Sequence, residues 1–132
     1  MRSLSILLTL FSAIMLTACT GGEEGKFVGC YALEDGGRAE LKITKDGGKF
    51  FASIREGGGW SEPEGLHSGT TEELRPLFGD DSERIKANLI ADKGFGIFLV
   101  EPGEVYGGEK AKTEYIAFVI FGGGSVYKVP CK

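Results

Sequence analysis

The side chains that could do chemistry are few in this chain of 132 residues. Its single histidine, His67, lies in the segment EPEGLHSGT beside Ser68. Nucleophilic catalysis needs a base that is hydrogen-bonded to its nucleophile, and adjacency in sequence does not orient two side chains toward each other. Two pairs of nearby carboxylates are nominal acid–base candidates, namely Glu62 with Glu64 and Asp80 with Asp81. Acids at this density are typical of a solvated surface, so we predict that the protein is not an enzyme and has no catalytic residues.

The first nineteen residues have the pattern of an export signal. Arg2 precedes an uncharged apolar run, residues 3–18, that is too short for a bilayer span of about 20 residues. The run ends in Leu16-Thr17-Ala18-Cys19, which resembles the lipobox of bacterial lipoproteins. The resemblance implies cleavage before Cys19 and acylation of its sulfur with fatty acids such as palmitate. The alternatives are a plain secretory peptide and a buried N-terminal helix.

The lipobox divides the chain into three parts. Residues 1–18 are the predicted signal peptide, 19–26 a lipid anchor with a flexible Gly- and Glu-rich tether, and 27–132 the folded domain. Thr20 after the cysteine resembles the pattern that sorts lipoproteins to the outer membrane, which implies a cell-envelope protein on the periplasmic side of that membrane. The full chain has a net charge of −4 and no basic stripe, so we expect no nucleic-acid partner. Membrane attachment would depend on the acyl chains alone.

Two cysteines, Cys30 and Cys131, remain in the mature domain. Thiols of exported proteins are oxidised, so we predict a disulfide between them. With His67 they supply one ligand fewer than a closed zinc site needs, and no CxxC or HxxxH spacing occurs. We therefore predict no metal and no other cofactor.

The mature chain alternates apolar and polar residues with a period of two, which indicates half-buried strands. Glycine-rich turns separate these runs, and the Asp46-Gly47 step is a strong hairpin signal. The predicted strands are 27–33, 38–44, 49–55, 84–91, 96–101, 105–106, 114–121 and 125–129. Only 70–78 suggests a helix: Thr70 and Glu73 fit a capping box, but Pro76 should limit it to one turn.

These strands predict an all-β fold, a single antiparallel meander of 7–8 strands. Pairing the first strand with the last removes both exposed edges, and a disulfide between Cys30 and Cys131 requires that their Cα atoms lie within about 7 Å. We therefore expect a small closed barrel, with a β-sandwich as the alternative.

Two family resemblances agree with a barrel. The segment GKFVGCYAL, with Gly29 and Tyr31, followed by ELKITKDGGKFFASI, resembles the opening of lipocalin-like envelope lipoproteins, although Tyr31 replaces the usual Trp. The run Val126-Tyr127-Lys128 and Cys131 are similar to the C-terminus of the membrane-bound inhibitors of c-type lysozyme. The inhibitory Ser-Gly-x-x-x-Tyr loop has no counterpart, so no inhibitory residue is carried over.

Two binding hypotheses follow. In the first, the barrel or its mouth holds a small apolar ligand, with plain core packing as the alternative role for the candidate lining residues Phe50, Phe98, Tyr115 and Phe118. In the second hypothesis, the protein binds a protein partner through the 56–71 loop, as an inhibitor would. Trp60 and His67 are its candidate contacts, because an exposed Trp is a favoured interface anchor. Trp60 could instead plug one end of the barrel.

Overall fold

The structure is a computed structural model that describes residues 22–119 and 122–132. The predicted signal peptide and Cys19 lie outside these residues. Gly22–Phe27, which include the second half of the predicted tether, form a 3-10 helix, and the Phe27 side chain at its end is fully buried.

Antiparallel strands are the predominant regular structure of the described chain, in agreement with the predicted all-β class. The strands are β1 (Gly29–Ala32), β2 (Leu41–Asp46), β3 (Lys49–Glu56), β4 (Gly59–Trp60), β5 (Glu64–Leu66), β6 (Ala87–Ile90), β7 (Gly96–Leu99), β8 (Val105–Tyr106), β9 (Glu109–Lys110), β10 (Tyr115–Val119), β11 (Gly122–Ser125) and β12 (Tyr127–Val129). Helix α1 (Thr71–Phe78) and a 3-10 helix (Gly79–Arg84) lie between β5 and β6.

The first five strands and the last strand form a six-stranded sheet in the order β12-β1-β2-β3-β4, with β5 also paired to β3. The hairpin predicted between β2 and β3 is present, and Gly47 and Gly48 both have positive φ in its two-residue turn. The first strand pairs with the last, as predicted, with Cys30 opposite Val129. The predicted disulfide is also present, with Cα atoms of Cys30 and Cys131 5.2 Å apart.

The second half forms a four-stranded sheet in the order β11-β10-β7-β6 and a separate β8–β9 hairpin. None of the sheets in the described ranges closes into a barrel, because the chain divides its strands among three sheets. The two larger sheets are linked at two places. Val126 separates β11 from β12, and His67 and Ile90 exchange backbone hydrogen bonds of 2.9 and 2.8 Å between the ends of β5 and β6.

Two hydrophobic clusters cover both faces of the four-stranded sheet. The first lies between the two larger sheets and includes side chains from both, such as Tyr31, Ile43, Leu89 and Ile97. Two sheets that pack face to face in this way also fit the β-sandwich alternative. The second cluster lies on the opposite face of the four-stranded sheet, under α1 and the β8–β9 hairpin. Burial on both sides explains why β7 and β10 are nearly continuously apolar rather than alternating.

Helix α1 corrects the prediction of a single turn. The capping box is present: the Thr70 hydroxyl accepts from the Glu73 amide at 3.2 Å, and the Glu73 carboxylate accepts from the Thr70 amide at 2.8 Å. The helix nevertheless includes Pro76 and has eight residues in all. Leu74 and Phe78 are buried in the second cluster, and this packing outweighs the hydrogen bond that Pro76 removes.

Candidate functional site

An apolar groove of about 790 Å³ opens between the two larger sheets at one end of the domain. Its floor includes Leu41, Phe95 and Ala117, all of which are buried. At its mouth lie three of the six exposed large apolar side chains of the described chain: Leu33 (67%), Ile54 (42%) and Val119 (37%). Apolar side chains that line a concave opening and remain in contact with water make this groove the candidate binding site.

The groove forms where the sheets diverge. Strand β1 pairs with β12 as far as Ala32 opposite Tyr127, and Leu33 then leads into a turn in which Gly36 has a φ of 74°. On the other side of Val126 from β12, the preceding strand β11 belongs to the other sheet and lines the groove with glycine backbone. The separation of β1 from β11 therefore leaves the interior accessible at this end.

A smaller cavity of about 400 Å³ adjoins the groove and shares Gly94, Phe95, Val119 and Gly122 with it. Leu77 of α1, which is exposed, and Ile90 of β6 line its other side. The two cavities together form an apolar surface that extends from the mouth of the groove to helix α1.

Charged groups at the groove are mostly acidic. The lining residues include two carboxylates, Glu40 and Glu64, and one cation, Lys93. Glu64 lies opposite Ala52, whose side chain is buried in the core, so the carboxylate is on the core-facing side of the sheet. The guanidinium of Arg55, next to Ile54 in the chain, instead donates to the carbonyl oxygens of Ala39 at 2.6 Å and Lys132 at 2.7 Å.

The four aromatic residues predicted to line a cavity lie outside the groove, and one of them, Phe118, lines the smaller cavity beside it. Phe98 is fully buried in the second cluster, where its ring centroid is 4.8 Å from that of Phe78. Phe118 lines only the smaller cavity, and Phe50 packs against the edge of the first cluster. Tyr115 stacks edge-on against Tyr31 with centroids 5.1 Å apart. None of the four lines the groove.

Trp60 lies on the six-stranded sheet, half-buried between two cations. The Lys42 ammonium is 4.8 Å and the Arg55 guanidinium 4.5 Å from the centroid of its ring. Strand β4 pairs Trp60 directly with Arg55. These contacts hold the indole against the sheet rather than projecting it from a free loop.

His67 and Ser68 do not form a catalytic pair. The exposed His67 imidazole has its Nε2 3.9 Å from the Glu73 carboxylate, and the Ser68 hydroxyl donates to Glu24 at 2.7 Å. The hydrogen bond from the Thr70 amide is the main cause that lowers the pKa of Glu73, and His67 is a minor one. Within residues 22–119 and 122–132, no group of three or more His, Cys, Asp or Glu side chains is arranged to hold a metal ion.

The opposite end of the intersheet space is covered by the N-terminal 3-10 helix. The carbonyl oxygen of Lys26 accepts hydrogen bonds from the Tyr115 hydroxyl at 3.2 Å and the Lys128 ammonium at 2.6 Å, and that of Phe27 accepts from Tyr31 at 2.6 Å. Burial raises the pKa values of both tyrosines and lowers that of Lys128. These shifts accompany packing at a closed end of the domain.

Sequence reasoning missed Leu33 and Val119, because each lies at a strand end where alternation no longer predicts a face. The signal that could have found the site is the Gly122-Gly123-Gly124 run, which we interpreted as a turn and which is strand β11. Because three of the four residues of β11 are glycines, few side chains fill the space beside this strand, and the groove remains open there.

Comparison of the chain with protein-family models, with curated protein sequences and with solved structures found no match. Among the described residues, no helix is both long and apolar enough to cross a membrane.

Proposed function

We propose that this protein is a lipid-anchored lipoprotein of the cell envelope, without catalytic activity, whose domain binds a small apolar ligand in the groove between its sheets. The observation that carries the proposal is the exposure of Leu33, Ile54 and Val119 around an opening of about 790 Å³. Pockets for small molecules have volumes of about 300 to 1,000 Å³ and are mostly apolar. Leaving three large apolar side chains in water is unfavourable unless a ligand covers them.

Titration with the apolar fluorophore 1-N-phenylnaphthylamine tests this proposal. The mature chain, residues 19–132 with Cys19→Ser, is suitable because both hydrophobic clusters, every described strand and the disulfide lie within it. We expect saturable binding that Ile54→Glu weakens at least about tenfold, since it places a charge where apolar contact is needed. Val105→Glu is the matched control, because Val105 is 48% exposed on β8, away from the groove. Equal binding by both variants would contradict the proposal.

The lipid anchor rests on the sequence Leu16-Thr17-Ala18-Cys19. Expression of the full chain in a Gram-negative host with radiolabelled palmitate should label the wild type and leave Cys19→Ala unlabelled. An outer-membrane location predicts that the label co-fractionates with outer-membrane porins. An unlabelled wild type would identify the N-terminal segment as a plain secretory peptide.

We also propose that the two larger sheets act as a barrel-like enclosure of the lipocalin kind. Support comes from their two links, the passage of the chain through Val126 and the bridge between His67 and Ile90. Amide hydrogen exchange tests it: protection of the His67 and Ile90 amides comparable with that of strand β7 indicates a closed seam. Exchange at the rate of an unstructured peptide would leave two separate sheets.

A binding role for the 56–71 loop, including an inhibitor function, stays an alternative. Trp60→Ala distinguishes it, because loss of a protein partner by a variant that stays folded would place the indole at an interface.

A further inference from the structure

Strand β11 has a free backbone edge, and the groups on that edge belong to Gly123 and Ser125. Among the described strands, only β10 pairs with β11. The Val126 amide donates to the Tyr115 carbonyl oxygen at 3.0 Å, in the same register. Hydrogen-bonded and non-hydrogen-bonded pairs alternate along antiparallel strands, so Gly124 also bonds to β10. The N–H and C=O groups of Gly123 and Ser125 therefore point away from β10, toward the free edge.

A purely apolar ligand would leave these backbone groups without partners. All four residues of β11 line the groove, so a ligand that fills the groove displaces water from the free edge. A backbone donor or acceptor that loses water without gaining a new partner is costly, whereas one that exchanges water for another partner is not. The ligand therefore needs a donor and an acceptor of its own beside its apolar part.

One extended amino acid unit matches the N–H and C=O groups of Gly123. Two directly opposed residues of an antiparallel pair exchange both of their N–H···O=C bonds. A single secondary amide cannot do this, because the N–H and C=O of a trans amide point in opposite directions. An amino acid that is acylated on its nitrogen presents both groups on one side. Gly123 is the more accessible partner, since it is exposed and Ser125 is partly buried.

The apolar part of such a ligand has space beside Gly124. This residue lies directly opposite Ala117, which is on the groove floor. A Cβ at Gly124 would be on the same face and would meet no atom of a non-adjacent residue within 4 Å. The exposed side chains of Leu33 and Ile54 border the same groove. An acyl chain placed there would remove apolar surface from water on both molecules.

We propose that the ligand of the groove is an N-acyl amino acid amide, whose acyl chain covers the apolar floor and whose amino acid unit pairs with Gly123. The inference rests on the proposed function, because it names the chemical class of the ligand of the same groove. The N–H of the amino acid unit donates to the Gly123 carbonyl oxygen, and its carbonyl oxygen accepts from the Gly123 amide.

Displacement of 1-N-phenylnaphthylamine from the mature chain (Cys19→Ser) by two isomeric ligands tests the pairing. The parent compound is N-decanoyl-L-alanine N′-methylamide, used below its critical micelle concentration. One isomer has an added methyl group on the alanine nitrogen, which removes the N–H that faces Gly123. The other has the methyl group on the terminal amide nitrogen, whose N–H points to the opposite edge. We expect the first isomer to bind at least about fivefold more weakly than the second, because it leaves the Gly123 carbonyl oxygen without a partner.

Gly124→Leu tests the position of the acyl chain, because the leucine would fill the space beside Ala117. Gly58→Leu is the matched control. Neither glycine has a positive φ, a Cβ at Gly58 also has free space around it, and Gly58 lies in the turn between β3 and β4, outside the groove lining. Gly124→Leu should weaken the parent compound at least about tenfold, and Gly58→Leu should leave its binding unchanged.

Equal binding of the two isomers, or unchanged binding of the parent compound to Gly124→Leu, would overturn the inference. Fluorophore binding without binding of the parent compound would also overturn it and leave the proposed function standing. Failure of both the fluorophore and the parent compound to bind would overturn both.

Discussion

The burial of Phe27 makes the N-terminal segment part of the core, and truncating its side chain tests this directly. Phe27 is fully buried, and its ring centroid lies 6.1 Å from that of Tyr115. Phe→Ala substitutions at such sites cost about 3–5 kcal/mol, because the transfer free energy is lost and a cavity remains. Domains of this size have unfolding free energies of about 5–15 kcal/mol. Phe27→Ala should therefore remove about a fifth or more of the total.

Urea denaturation of the mature chain is a suitable assay, because Trp60 is its only tryptophan and lies far from Phe27 in sequence. The midpoint should fall with little change in slope if unfolding is two-state. Val28→Ala is the matched control: the neighbouring side chain is 39% exposed and should cost less than about 1 kcal/mol. A loss below 1 kcal/mol for Phe27→Ala would mean that the 3-10 helix is detached from the domain in solution.

Four further changes have defined outcomes. Replacing Cys30 and Cys131 together with serine should lower stability by up to about 4.7 kcal/mol in urea titrations, since the bridge closes a loop of about 100 residues, and an unchanged midpoint would contradict this. Pro76→Ala should raise the melting temperature by restoring a helical N–H; a decrease would refute our account of α1. Glu73 has a pKa below its ordinary value of 4.5, so its contribution to stability is present above that pH and is lost as the pH falls through the lower folded value; Glu73→Gln should flatten the stability curve below pH 4.5, and an unaltered curve would count against the capping box. Trp60→Ala should cost about 1–2 kcal/mol through two lost cation–π contacts, and a loss above 4 kcal/mol would instead indicate a core residue.

Local signals in the sequence predict β1, β2, β3 and β12 of the six-stranded sheet. Alternation of Leu41, Lys42 and Ile43 placed β2, and the glycine turn at Gly47 and Gly48 placed its hairpin with β3. The pairing of the first strand with the last was also predictable, because the cysteines require proximity across 101 residues of separation. These features depend on near neighbours or on a covalent bond.

The division into separate sheets could not be predicted in this way. It depends on which strand each edge meets, and Val126, where the chain passes from one sheet to the other, lies inside a single predicted strand. Helix α1 was underestimated for a related reason. Leu74 and Phe78 fold onto a second apolar face of the four-stranded sheet, and nothing local to residues 70–78 indicates that face.

The candidate site was the least predictable feature. The sequence points to aromatic residues such as Phe98 as lining, whereas the structure buries Phe98 in the second cluster and places a different aromatic residue, Phe95, on the floor of the groove. The groove is instead bordered by aliphatic residues at strand ends and by the backbone of Gly122–Ser125. Its position follows from two strands that separate, which is a tertiary property.

The ordered 3-10 helix also limits how far the domain can travel from a membrane. With acyl chains on Cys19, as we propose, three peptide units join the anchor to Gly22, and a fully extended chain of that length spans about 10 Å. A linker of that length keeps the whole domain next to the bilayer surface and restricts its rotation. A ligand would therefore enter the groove close to the membrane surface. A Gly-Ser insertion before Gly22 would lengthen the linker and increase the distance between groove and membrane without changing the fold.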